Sequence, residues 1–269
     1  MSCPVSDFAE YDQLAQRWLE TGAYDSTRHT PGYPGFLALV YAIAGHSWQA
    51  ARVAQAVLGA ATTALVIVLA RKLTSPRTAV IAGALHAFWP TAVVYVGVPA
   101  SENLATAVVL SLVVALSFET DSLRRRLIAT AVAGFFFGLA LLVRPALLFI
   151  LPASLLLAMW EPRSRRWRVL PAIAFILVAG LSLFPWQLHN YRMGVGATTL
   201  STTGGINLWM ANNDNPQAGS SGGYEAARAA GFPATEPERD RALQRAAVSW
   251  ILSHPGRYFV LSAARARRM

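Results

Sequence analysis

Six apolar segments, near 50–70, 79–97, 102–118, 127–143, 146–160 and 169–189, fill the middle of the chain. Most are close to the roughly 20 residues that a helix needs to cross the hydrocarbon core of a bilayer. In lipid such runs fold as helices, because a spanning backbone must satisfy its own hydrogen bonds. With 54% hydrophobic and only 14% charged residues, and a mean hydropathy of +0.39, the chain reads as an all-α polytopic membrane protein and not as a soluble domain. The segment 146–160 is short and begins at Arg144-Pro145, which predicts little tilt, local thinning of the bilayer or a re-entrant path. Pro90, Pro152 and Pro171 fall inside or at the ends of spans, where neighbouring helices can satisfy the freed carbonyls.

The basic residues orient these spans. Arg71, Lys72 and Arg77, then Arg124, Arg125 and Arg126, then Arg163, Arg165, Arg166 and Arg168 lie in one set of short connections, whereas the alternate set carries only Arg144. The Arg-rich set is therefore read as cytoplasmic, which places 1–49 and 190–269 on the exoplasmic side together with Asp7, Glu102, Arg144 and His189. A net charge of +9 divided among short loops forms no continuous basic face, so nucleic acid is not an expected partner. The single Cys3 excludes an intramolecular disulfide and a cysteine-rich metal site, and His29, His46, His86, His189 and His254 lack metal-ligand spacing. There is no phosphate loop, zinc-protease helix or serine-hydrolase elbow, and no repeat of fixed period.

Three parts follow. The first, 1–49, is an exoplasmic loop with a helix over 8–21, where Phe8, Tyr11, Leu14, Ala15, Trp18 and Leu19 recur at helical spacing before Gly22. A turn at Thr30-Pro31-Gly32-Tyr33-Pro34-Gly35 leads to a short apolar helix ending near Gly45. The second, 50–189, is the transmembrane bundle. The third, 190–269, holds the glycine-rich Thr203-Gly204-Gly205, a polar run from Asn212 to Pro216, and a flexible glycine-serine stretch at 219–223. A helix then starts at Thr235, whose hydroxyl caps it while Glu238 reaches back, and runs to His254-Pro255. Tyr258-Phe259-Val260-Leu261 reads as the approach to another helix. Because residues 1–34 must cross the membrane yet show no leader pattern, a further span is expected upstream, and further chain is expected beyond Met269.

Eight short motifs occur in order: Asp7-x-x-x-Tyr11-x-x-Leu14-Ala15, Gly22-x-Tyr24, Pro31-Gly32-Tyr33-Pro34, Ala51-Arg52-x-x-Gln55, Ser101-Glu102, Arg144-Pro145, Pro185-Trp186-x-x-x-Asn190 and Gly204-Gly205-x-Asn207-Leu208-Trp209-x-x-Asn212-Asn213. Together they resemble the polyprenyl-phosphate-sugar-dependent glycosyltransferases of the protein-mannosyltransferase and aminoarabinose-transferase type, a family 39-like group. The resemblance runs from about residue 7 to about residue 260 and implies the GT-C fold, a transmembrane bundle with an exoplasmic active site in the loop after the first span. The chain departs from that pattern by lacking the first span and the C-terminal spans. The implied donor is a polyprenyl-phosphate sugar, and the implied acceptor is a glycan, lipid or protein. No cofactor is fixed by the resemblance, and a divalent cation is compatible with it. The implied location is the membrane, with a bacterial plasma membrane as the expectation.

The residues suit that chemistry. Sugar transfer from a lipid phosphate needs a base for the acceptor hydroxyl, whereas the leaving phosphate needs no proton, so one carboxylate suffices. Asp7 matches the family's essential aspartate, with Glu10 and Asp12 as neighbouring carboxylates; the bland reading is that Asp7 caps the helix behind it. Arg144 suits the departing phosphate because a guanidinium can supply two parallel hydrogen bonds, although interfacial snorkelling or an ion pair with Glu102 would also explain it. Arg52 is a second candidate for the phosphate. Glu102 is expected to orient the acceptor, pair with Arg144 or hold a cation, or else to be an ordinary first-turn acid. Tyr11, His189 and Asn207 complete the expected substrate contacts, against interfacial anchoring of His189 beside Trp186 and Tyr191, and an ordered turn at Asn207. A transporter or lipid flippase is the rival reading, with a non-catalytic fragment as a third. Transporters usually carry mid-membrane charges and repeated halves, which are not seen here.

Overall fold

A computed structural model describes residues 7–98, 100–160, 164–196, 199–214 and 223–267. The regular structure among these residues is all helical, with no strand. They form two compact units, the first built from residues up to Ser26 and from Thr30–His189, the second from Thr27–His29 and the chain after Asn190.

The first unit opens with α1 (Asp7–Thr21) and α2 (Gly32–Ala44), packed on each other. The helix α1 stops at Gly22, which adopts a φ of 70° that only glycine takes cheaply, and α2 stops at Gly45 with a φ of 76°. Ala15, Tyr33, Leu37, Ala38, Tyr41 and Ala51 form the core beneath them. Next come α3 (Trp48–Leu73), capped by the Ser47 hydroxyl accepting from the Gln49 amide, and α4 (Pro76–Ala87), capped in the same way by Ser75 on Thr78. The expected span 79–97 is broken. Pro90 opens a separate helix, α5 (Pro90–Gly97), bent 49° from α4, because a proline supplies no amide to continue the preceding ladder.

Helices α6 (Ser101–Leu116) and α7 (Leu123–Val143) pack antiparallel, followed by a 3₁₀ turn at Pro145–Ile150 and the short α8 (Leu151–Met159). The helix α9 (Arg165–Arg192) closes the bundle and carries Pro171 and Pro185 in its interior. Gly134 and Gly138 of α7 lie against Phe175 and against Ala179 and Ser182 of α9, a close approach in which a larger residue would collide with backbone. Three helices, α3, α7 and α9, are long and apolar enough to cross a membrane, or four if α4 and α5 make one bent span. Two of the six expected spans, α6 and the segment 145–159, are shorter apolar helices than a full crossing requires. Val57, Ile176, Leu177, Leu181 and Phe184 face outward, which suits lipid contact.

One end of the bundle is tied by cations. Arg126, only 6% exposed, donates to the carbonyls of Leu116, which ends α6, and of Phe118 just beyond it, and to those of Leu157 and Ala158 at the end of α8. Lys72 donates to the Ser117 carbonyl at 2.8 Å and lies over the Phe118 ring. Both cations meet carbonyl ends of helices, where positive charge is favoured. Two members of the Arg-rich loops are thus also structural ties.

The second unit contains α10 (Gly204–Ala211), α11 (Gly223–Ala229), α12 (Glu236–Ser253) and α13 (Pro255–Ala266) around a core of Ile206, Trp209, Ala226, Ala227, Leu243 and Ala247. The glycine-rich segment at Gly204, for which an ordered turn was the bland alternative, is a helix, and Gly205 permits its close packing on α12: a Cβ there would lie 2.2 Å from the Asp240 carbonyl oxygen. Thr27 is drawn into this unit, its hydroxyl donating to Glu236 at 2.8 Å. The expected cap at Thr235 takes another form, since its hydroxyl donates to the Glu238 carboxylate at 2.6 Å and not to the helix backbone. The expected helix near Tyr258 is α13. Most of the glycine-serine stretch 219–223 and part of the polar run 212–216 lie outside the described residues.

Candidate functional site

The helix α7 ends where it does because Arg144 precedes Pro145. A residue before proline avoids helical dihedrals, and Arg144 takes φ −145° and ψ 106°, leaving the helix so that its side chain meets the start of α6. Its Nε donates to the Ser101 hydroxyl at 3.1 Å, and its Nη2 donates to the Glu102 carboxylate in a short ion pair. The ion pair that the sequence left as one alternative for Arg144 and Glu102 is thus present. The guanidinium is 43% exposed and its Nη1 edge has no hydrogen bond among the described residues, so donor capacity remains.

Ser101 also bonds Tyr11, which stands one turn after Asp7 on the same face of α1. Burial first, and then the nearby Asp7 carboxylate, raise the Tyr11 phenol above its usual titration range; Ser101 and Arg144 pull the other way. The phenol therefore stays protonated near neutrality and links the acid on α1 to the arginine on α7. Asp7 itself is exposed and is the first residue of α1, so it lies within the first turn and not ahead of it.

A second set of contacts fixes the loop that enters α6. Arg52 on α3 donates to the Gly97 carbonyl at 3.2 Å. Gln55, one turn further and fully buried, donates to the carbonyls of Val98 and Ala100 and to the Tyr33 hydroxyl. Arg52 thus ties the approach to Ser101 through its Nε. Gln55 and Ser101 were not among the expected site residues. The available signal was their place in the motifs Ala51-Arg52-x-x-Gln55 and Ser101-Glu102, as polar side chains beside apolar segments, which in lipid demand partners.

His189 lies near the end of α9, stacked on Trp186 at 5.0 Å, with Nε2 3.2 Å from the Ser26 carbonyl. Tyr24 packs against Trp18, Trp186 and His189, and burial holds its phenol far above its ordinary titration range. These contacts make His189 part of an aromatic cluster in the first unit. Asn207 is on the exposed side of α10 in the second unit. The glycine and asparagine segment around it spends its polar groups on the fold: the Gly205 amide donates to Asp240 at 2.5 Å, and Asn212 and Asn213 donate to the carbonyls of Leu208 and Trp209. Burial raises the Asp240 carboxyl, and the bond from Gly205 partly opposes it.

The neighbouring carboxylate Asp12 has a structural post. It accepts from the Tyr41 hydroxyl at 2.7 Å and from Gln16 at 2.6 Å, with His46 Nε2 at 3.0 Å. Asp12→Ala leaves the buried Tyr41 hydroxyl and the half-buried Gln16 amide without this partner and is expected to cost about 1–3 kcal/mol of stability. The check is thermal unfolding beside activity per folded molecule, which should hold near wild type; a loss of turnover with unchanged unfolding would contradict this assignment.

Among the described residues no three histidine, cysteine or acidic side chains gather as a metal site. The cluster at the α6–α7 end offers a solvent-facing carboxylate, a protonated phenol, a hydroxyl and a guanidinium with open donors. That set can accept a proton from a hydroxyl and bind a phosphate.

A profile of the dolichyl-phosphate-mannose-protein mannosyltransferase family matches residues 28–189, a span that includes Arg52, Glu102, Arg144 and His189 and begins after Asp7 and Tyr11. No curated protein and no solved structure matches significantly. With more than half of its length matched and a helical membrane bundle to carry the motifs, the chain belongs to the dolichyl-phosphate-mannose-protein mannosyltransferase family, a group of GT-C membrane glycosyltransferases.

Proposed function

We propose that the protein transfers a sugar from a polyprenyl-phosphate donor to a hydroxyl of an acceptor at the exoplasmic face of a membrane. The observation that carries this reading is the gathering of Asp7, Tyr11, Ser101, Glu102 and Arg144 at one end of the first unit, opposite the end tied by Lys72 and Arg126. The cationic end fits the cytoplasmic side by the excess of arginine and lysine there.

In the proposed reaction the acceptor oxygen attacks the anomeric carbon, its proton passes to the Asp7 carboxylate, and the bond from that carbon to the phosphate oxygen breaks. The electron pair leaves with the polyprenyl phosphate, whose charge the open edge of Arg144 offsets. One displacement inverts the anomeric centre. Tyr11 and Glu102 orient the reacting groups, Glu102 through Arg144.

The test uses the chain in lipid nanodiscs with a series of polyprenyl-phosphate sugars labelled in the sugar. The expected result is free polyprenyl phosphate together with label on a hydroxyl acceptor. Transbilayer movement of intact donor without cleavage would support a flippase instead, and consumption of none of the donors would overturn the reading.

A further inference from the structure

The first turn of α2 supports both partners of the Arg144–Glu102 pair. A Cβ on Gly32 would lie 2.5 Å from the Leu142 carbonyl oxygen and 2.8 Å from the Val143 amide nitrogen, so the end of α7 can rest there only because residue 32 has no side chain. Leu142 and Val143 are the two residues before Arg144. The next residue of the turn, Tyr33, is 1% exposed, and its hydroxyl accepts from Gln55 Nε2 at 3.0 Å. The same Gln55 nitrogen donates to Ala100, the residue before Ser101, at 3.0 Å. The Tyr33 ring also meets Tyr11 edge-on at 5.1 Å. One turn therefore touches the backbone that ends in Arg144 and the tyrosine one turn after Asp7, and reaches the loop that presents Ser101 and Glu102 through Gln55.

We infer that Gly32 and Tyr33 are positioning residues, which set Arg144 relative to Ser101, Glu102 and Tyr11 and so shape the site for a polyprenyl phosphate. This inference rests on Arg144 as the phosphate-binding group. Gly32 acts by steric fit against main chain, which a close-packed interior cannot absorb without a shift. Tyr33 acts through Gln55 on the loop. Neither touches the phosphate. A guanidinium that reads phosphate by parallel hydrogen bonds is sensitive to displacement, because direction matters as well as charge.

The experiment measures equilibrium binding of undecaprenyl phosphate to the full chain in nanodiscs, together with thermal unfolding. The comparator for Gly32→Ala is Gly134→Ala, whose Cβ would lie 2.3 Å from the Phe175 carbonyl oxygen in the α7–α9 contact, a collision of similar severity that does not adjoin Arg144. Both variants should unfold at lower temperature. Binding should weaken about tenfold or more in Gly32→Ala and stay within about twofold of wild type in Gly134→Ala, since misplacement matters only next to the binding group. Tyr33→Phe keeps the ring packing and removes only the hydroxyl, so it folds even where Gly32→Ala does not, and it should weaken binding about three- to tenfold. Binding by Tyr33→Phe or by folded Gly32→Ala no weaker than that of Gly134→Ala would overturn the inference. Arg144→Ala separates the two levels: lost binding there with normal binding in Tyr33→Phe and Gly32→Ala defeats the positioning role alone, whereas wild-type binding in Arg144→Ala defeats the phosphate reading and the inference with it.

Discussion

Asp7→Asn is expected to lower sugar transfer from a polyprenyl-phosphate donor about 100-fold or more, the usual scale for loss of a general base. The substitution keeps the size and polarity of an exposed side chain at the first turn of α1. What it removes is a negative charge, which at a helix N-terminus contributes only about 0.3–1 kcal/mol to stability. Catalysis and folding therefore separate in this variant: thermal unfolding should barely move while turnover collapses. A second signature comes from Tyr11, whose phenol is raised in part by Asp7. Without that carboxylate Tyr11 should ionise at lower pH, although burial still keeps it above the ordinary range. The measurement is transfer of labelled sugar by wild type and variant at matched folded fraction. Full transfer by Asp7→Asn would remove it as the base and direct attention to Glu10 or Glu102.

How much of this arrangement could be read from the chain depended on whether local sequence or long-range packing decided it. The helix from Asp7 to Thr21 and its stop at Gly22 follow from apolar spacing and a glycine in the left-handed region, both local. The break between α4 and α5 was less legible, because a proline in a membrane segment can end, bend or simply interrupt a helix according to its neighbours. The helix at Gly204 was not legible, since two glycines are weak helix formers; contact with Asp240 on a distant helix overrides that preference. The span count rested on apolar run length, and runs such as 102–118 form helices that end early, at Leu116 for α6. In the site, residue types and order pointed to Asp7, Glu102 and Arg144. The ion pair between Glu102 and Arg144 remained one of several alternatives, because residues 42 apart are brought together only by antiparallel packing of α6 and α7. Gln55 and Gly32 are the extreme case: both stand in the motifs that carry the resemblance, yet their work is done on backbone atoms of other segments, which no local pattern reveals.

Arg144→Ala is expected to lower donor use about 10²–10³-fold, the range for removing one preorganised group that stabilises transition-state charge. Arg144 is also the partner of Glu102. Truncating it leaves the Glu102 carboxylate, one oxygen of which is buried without a hydrogen bond, with no counter-charge, so stability falls as well. The charge-neutral double variant Arg144→Ala/Glu102→Gln removes that unpaired charge and should recover most of the lost stability while leaving donor use as low as in Arg144→Ala. Arg144→Lys retains the charge but not the planar fork that spans Ser101 and Glu102, and should fall between wild type and alanine. Glu102→Gln alone retains an acceptor for Arg144 and should have the smallest effect of the set. These variants are compared by turnover at several concentrations of polyprenyl-phosphate sugar, alongside thermal unfolding. If the double variant regained donor use together with stability, Arg144 would be holding the fold at the α6–α7 end, and the phosphate would have to be bound elsewhere.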